Sequence, residues 1–129
     1  MRKSIAFGGA IAAVYLSTVS ASLAGPWEDG MAAYNRGDYV PAVQIFRPLA
    51  AKGHAKAQKL LGTMYRRGQG VGRSSAHAFV WLSRAAAHGD RKAKAELREV
   101  SQSMAPDELK RAREMMLACE ETDYRGCEY

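Results

Sequence analysis

Cysteine is scarce in this sequence: Cys119 and Cys127 are the only two in 129 residues. Two thiols are too few for a closed zinc site, and no histidine stands near them, so no metal is expected. Histidine is scarce as well. His54, His77 and His88 lie far apart, and none forms an H-E-x-x-H pattern. Each reads as a solvated side chain, with His54 and His88 at turns or helix ends. No S-x-x-K pattern occurs, and no serine has a base beside it, so no catalytic residue and no cofactor are predicted. The glycine-rich run G-Q-G-V-G at 68–72 ends in no Lys-Ser or Lys-Thr pair, which argues against a phosphate-cradling loop. Aromatic residues do not interleave with the basic ones as a single-strand platform needs, so nucleic acid is not an expected partner.

Charge of either sign is unremarkable at 25%, and hydrophobic residues make up 47%. These are the proportions of an ordinary globular domain. Formal net charge is +6, and removing Arg2 and Lys3 with the N-terminal segment leaves +4. That balance favours anionic partners slightly and singles out none.

Residues 1–24 carry Arg2 and Lys3, an apolar run from Ile5 to about Val19, and then Ser22, Leu23 and Ala24. Charge, apolar centre and small residues come in the order of a secretory signal peptide. Gly8, Gly9, Ser17 and Thr18 make the run a poor permanent span, so no stable membrane span is expected after cleavage. Cleavage after Ala24 predicts a mature chain of 105 residues from Gly25. That chain would be exported, to the periplasm first of all or to the medium. In an exported chain the even cysteine count predicts a Cys119–Cys127 disulfide tethering the tail, residues 120–129.

The remainder reads as about six helices. The first, Pro26 to Arg36, carries Trp27, Met31 and Tyr34 and ends at Gly37. Asp38 is placed to cap the second, whose apolar face is Val43, Phe46, Leu49 and Ala50, and in which Pro48 predicts a bend. The third runs from about Ala55 to Arg67, with Ala57, Leu61, Met64 and Tyr65 at helical spacing. The fourth runs from about Ser75 to His88, with Ala78, Trp81, Leu82, Ala85 and Ala86 on one face. Gly68, Gly70 and Gly72 stop the third, and Ser74 can cap the fourth. A fifth helix, Arg91 to about Gln102, turns Ala93, Leu97 and Val100 inward. A sixth opens at Pro106 and carries Leu109, Ala112 and Met116, with Met115, Met116 and Leu117 read as core. Shifting the chain by 36 residues lays Ala50-Ala51-Lys52-Gly53 on Ala86-Ala87-His88-Gly89, Phe46 on Leu82 and Leu61 on Leu97. A constant interval of that size is the mark of a helical solenoid.

The run A-x-A-Q-x-x-L-G-x-x-Y-x-x-G-x-G-V from Ala55, followed by A-x-x-W at Ala78–Trp81, Ala85-Ala86 and Gly89, resembles the Sel-1-like repeat. This is a subclass of tetratricopeptide-type αα repeats. The resemblance implies an all-α, right-handed αα-superhelical solenoid of antiparallel helix pairs. It divides residues 25–119 into a degenerate unit at 25–54, a full unit at 55–90, and a worn unit with a capping helix at 91–119. Ala57, Leu61, Gly62, Tyr65, Gly68, Gly70, Ala78, Trp81, Ala85, Ala86 and Gly89 then hold helices together. In the worn unit Arg98 stands for Gly62 and Ser101 for Tyr65, which predicts looser packing or the end of the array. A cysteine-rich subgroup of the family also pairs cysteines with seven residues between them.

By the same resemblance, the first helix of each pair lines the concave surface. Lys56, Lys59, Thr63, Arg66 and Arg67 on the third helix, with Arg91, Lys94 and Arg98 on the fifth, would then share one groove for a protein or peptide, with an acidic segment the chemistry that suits it. Family members often act as adaptors, which implies a non-catalytic binding module of the bacterial envelope. Two alternatives remain: a β-lactam-binding or hydrolysing enzyme of the cysteine-rich subgroup, and a secreted effector that binds a host protein.

Overall fold

The computed structural model describes residues 24–123 and Cys127. The predicted leader, residues 1–24, lies outside that range apart from Ala24. Six helices follow one another, with no strand among the described residues: α1 (Pro26–Asn35), α2 (Tyr39–Ala51), α3 (Ala55–Arg67), α4 (Ser75–Ala87), α5 (Arg91–Ser103) and α6 (Pro106–Glu121). None is long and apolar enough to cross a membrane.

The 36-residue interval is visible in the backbone. The helices α2, α3, α4 and α5 have thirteen residues each, and α2 and α4, like α3 and α5, begin 36 positions apart. The turns after α2 and α4 repeat the same bonds. The Gly53 amide donates to the Ala50 carbonyl (3.0 Å) and the His54 amide to that of Leu49 (3.0 Å). In the second copy, Gly89 donates to Ala86 (2.9 Å) and Asp90 to Ala85 (3.2 Å). Both glycines are left-handed, at φ +94° and +89°, as this helix-ending motif requires. Equivalent residues fill the core: Ala42 and Ala78, Phe46 and Leu82, and Ala57 and Ala93 are all fully buried. Removing a side chain such as Phe46 or Leu82 from water contributes about 1.5–3 kcal/mol.

The first hairpin keeps a different register. Three residues, Arg36 to Asp38, join α1 to α2, whereas seven, Gly68 to Ser74, join α3 to α4. The four missing residues shift α1 so that Gly30, and not Pro26 as the 36-residue interval alone would give, stands where Gly62 does. A Cβ on Gly30 would meet Phe46 at 2.5 Å, and one on Gly62 would meet Leu82 at 2.8 Å. Phe46 and Leu82 are themselves 36 apart, so both glycines serve the same close approach between paired helices. The longer linker also reaches back to the preceding unit. Gly70 (φ +70°) lies so near the Tyr39 carbonyl that a Cβ there would sit 2.5 Å away, and Tyr34 Oη donates to Gln69 Oε1 at 3.5 Å. The glycine run is therefore a contact between units as well as a helix stop.

Successive helices from α1 to α5 pack on one another, and α3 also lies beside α5 and α4 beside α6. The third unit departs from the pattern. Only Met104 and Ala105, both extended, join α5 to α6, and α6 packs on α4 instead of pairing along α5. Position 98 has no helix against it, so Arg98 is exposed where Gly62 is buried, and the Ser101 hydroxyl turns back to the Leu97 carbonyl (2.7 Å). The face of α6 toward α4 carries Ala112 and Cys119, both buried, with Leu109, Met115 and Met116 partly covered. Leu117, expected in the core with the two methionines, is 57% exposed. Cys119 and Cys127 are joined, and both are buried.

Three local expectations need correction. His77, expected to be solvated, is half-buried because its ring stacks on Tyr65. Asp38 occupies the cap position of α2 without capping it, because its carboxylate takes Arg36 Nε at 3.1 Å instead. His54 is half-buried: its Nδ1 accepts the Ala57 amide (3.1 Å) at the start of α3, and its ring stacks on Trp27 with centroids 4.9 Å apart.

Candidate functional site: the face of α1, α3 and α5

The predicted basic stripe on α3 divides into two parts. Toward the C-terminal end, Thr63 and Arg66 are committed to α5. The Thr63 hydroxyl is buried and donates to Glu96 Oε2 at 2.8 Å. Arg66 reaches Glu99 at 3.0 Å and Glu96 at 3.5 Å. Arg66 and Glu96 are only 29% and 21% exposed, so this clasp is partly shielded from solvent, which strengthens it over a surface pair. Both clasp pairs are 33 positions apart, which is the repeat interval less one helical turn. That is the spacing of side chains facing one another across stacked units. The α3–α5 seam is thus closed by polar bonds. Arg66 and Arg73 also border a small hollow of ≈ 190 Å³ with Ser75, Glu99 and Ser103.

Toward the N-terminal end of α3, Lys56 is exposed and Lys59 half-buried, and neither ammonium has an ion-pair partner among the described residues. One turn apart, they share a face of the helix. They border a cleft of ≈ 240 Å³ between α1 and α3, lined also by Trp27, Met31, Leu60 and Asp90. Asp90 is already engaged, since its Oδ1 accepts the Ala93 amide (2.9 Å) and caps α5. The Trp27 wall is held from behind by the His54 stack and by Phe46, with centroids 5.4 Å apart. Arg67, Arg91, Lys94 and Arg98 are exposed and form no part of the cleft lining. Of the eight predicted groove residues, then, Lys56 and Lys59 meet at an open site and Thr63 and Arg66 at a closed seam.

Sequence reasoning missed Trp27, Met31, Leu60 and Asp90. The aromatic and methionine on α1 were visible as an apolar stripe, but only the register set by the short first linker turns them toward Leu60. Glu96 and Glu99 were also missed, although the 33-residue spacing to Thr63 and Arg66 was there to find.

A second polar group joins α2, α3 and α4. Arg47 Nη2 donates to Tyr65 Oη (3.3 Å), and the Tyr65 ring stacks on His77 at 4.7 Å. The expectation that no serine has a base beside it fails at Ser74: three residues apart on the first turn of α4, His77 Nδ1 lies 2.7 Å from Ser74 Oγ, which also accepts the His77 amide (3.2 Å) as the cap of α4. Burial first, and then the nearby Arg47 guanidinium, hold the His77 imidazole below its ordinary value of 6.5. The Nδ1 of neutral His77 can accept a hydrogen bond from the Ser74 hydroxyl, so cap and ring stabilise one another. Tyr65 and Trp81 are both buried, at the junction of these helices.

No family model matches the chain, and no curated protein matches it.

Proposed function

We propose that this protein is a non-catalytic binding module of the bacterial cell envelope, a short array of Sel-1-like units that holds a protein or peptide on its α1–α3–α5 face. The observation that carries this reading is the α1–α3 cleft, where two lysines with no ion-pair partner among the described residues border the apolar side chains of Trp27, Met31 and Leu60, on the face that such arrays use for partners. The leader-like order of residues 1–24 and the joined cysteines agree with export, since such bonds persist in oxidising compartments.

The test is in-cell photo-cross-linking from two positions of the exported chain. A cross-linker replacing Lys56 yields a discrete protein adduct, and one replacing exposed Glu114 on α6 does not. Identical adducts from both positions, or none from position 56, overturn the reading. Fractionation of the same cells places the adduct outside the cytoplasm, and its appearance in the medium would favour the secreted-effector alternative. Turnover of a chromogenic β-lactam by the purified protein would overturn the non-catalytic assignment.

A further inference from the structure

We propose that the α1–α3 cleft is an anchor site for one large apolar side chain carried by an acidic peptide strand, with flanking carboxylates on Lys56 and Lys59. The inference rests on the binding-module reading and adds the chemistry of what is bound. Size is the first argument. At ≈ 240 Å³ the cleft falls below the roughly 300–1,000 Å³ of sites that enclose a whole small ligand. It is of a scale to take a single side chain from a partner whose backbone lies outside.

Polarity is the second argument. Trp27, Met31 and Leu60 are partly buried members of the core cluster, and each turns part of its apolar surface into the opening. Nothing polar bridges them, in contrast to the Thr63–Glu96 bond of the next seam. Charge is the third. Lys56 and Lys59 have no ion-pair partner among the described residues, and against the single carboxylate of Asp90, which caps α5, they leave the lining with an excess of one positive charge for an incoming strand. The Asp90 carboxylate disfavours a continuous phosphate backbone, while the two ammonium groups suit discrete carboxylates. Preorganisation is the fourth. The Trp27 ring is braced by His54 and Phe46 before anything binds, so little ordering cost falls on association.

The test is a fluorescence-anisotropy titration of the purified chain with labelled, end-blocked peptides. The probe is Asp-Glu-Phe-Glu-Asp. Its counterparts replace Phe by Ala, or replace all four acids by their amides. Loss of the aromatic ring weakens binding about tenfold or more, the effect of one buried large apolar side chain. Loss of the carboxylates weakens it about fivefold at low salt and little at high salt, as for solvent-facing ion pairs. The double variant Lys56→Glu, Lys59→Glu, with its helical spectrum unchanged, prefers Lys-Arg-Phe-Arg-Lys to the acidic probe. Equal binding of the Phe and Ala peptides overturns the anchor and leaves an acidic partner standing. An unchanged preference in the double variant overturns the location. Tighter binding of oligothymidine than of the probe overturns the ligand class. Binding by no peptide overturns the proposal, while the in-cell cross-link decides the binding-module reading on its own.

Discussion

Replacing Gly62 by alanine sets two effects of opposite sign against each other. Glycine inside a helix costs about 0.8–1 kcal/mol relative to alanine, so propensity alone predicts that Gly62→Ala stabilises α3. The added methyl would lie 2.8 Å from Leu82 Cγ, 3.1 Å from Cδ2 and 3.1 Å from the Leu82 backbone nitrogen. Cγ is a branch point in a fully buried side chain, and the amide belongs to α4 itself, so neither can yield alone. Overpacking of this kind costs about 1–3 kcal/mol. Because the clash involves backbone, the upper part of that range applies, and the net effect is a loss of about 1–2 kcal/mol. For a domain of this size that lowers the thermal midpoint by about 4–16 °C, read by far-UV circular dichroism. The equivalent position in the next unit is the control: Arg98 is exposed with no helix against it, and Arg98→Ala stays within about 0.5 kcal/mol of the parent. A double-mutant cycle with Leu82→Ala isolates the cause, since removing the obstacle should relieve at least about 0.5 kcal/mol of the loss. A rise in midpoint for Gly62→Ala, or strict additivity with Leu82→Ala, refutes the close-approach argument.

Two further predictions concern helix ends and protons. Ser74→Ala removes a cap that accepts the His77 amide and should cost about 1 kcal/mol in urea denaturation, whereas Asp38→Ala should cost little, because Asp38 makes no cap bond. Equal losses would refute the assignment of a cap bond to Ser74 and none to Asp38. The folded-state pKa of His77 is depressed, so its contribution to stability is complete above the unfolded value near 6.5 and is lost as pH falls from there through the folded value. The urea midpoint should drop on acidification through that window, and less so in His77→Asn. Identical pH dependence in both proteins would rule out His77 as the group responsible.

Much of the architecture was legible because packing repeats leave a periodic trace. The 36-residue interval set α2 against α4 and α3 against α5, and residues from Ala42 to Ala93 occupy equivalent buried places as that interval predicts. What the interval could not show was a change of register within a unit. The Gly30–Gly62 equivalence has an offset of 32, hidden by the four-residue shortening of the first linker. Capping was legible only where no competing partner stood nearby: Ser74 caps, while Asp38 next to Arg36 forms an ion pair. The basic stripe was legible as composition. Its division into a clasp and an open cleft was not, because the acids that neutralise Arg66 lie a unit away in sequence.

That change of register bears on why one seam is closed and the other open. With Gly30 matched to Gly62, Met31 stands where Thr63 does and Tyr34 where Arg66 does. Across the seam, Leu60 stands where Glu96 does, 36 positions earlier. The pair that closes α3 onto α5 is a hydroxyl and a carboxylate 2.8 Å apart, a directional bond that fixes the spacing of two helices. The matching pair between α1 and α3 is Met31 and Leu60, which has no such bond and fixes no spacing. Apolar side chains close a gap only by filling it, and here they line ≈ 240 Å³ of open space. Tyr34 adds no clasp either, since its hydroxyl turns to Gln69 in the glycine linker. The same backbone unit therefore yields a self-satisfied seam in one place and apolar surface still exposed to water in the next. Burying that surface against a partner's side chain is favourable by about 25 cal/mol per Å², and the α3–α5 clasp keeps the far wall of the cleft from shifting as it does so.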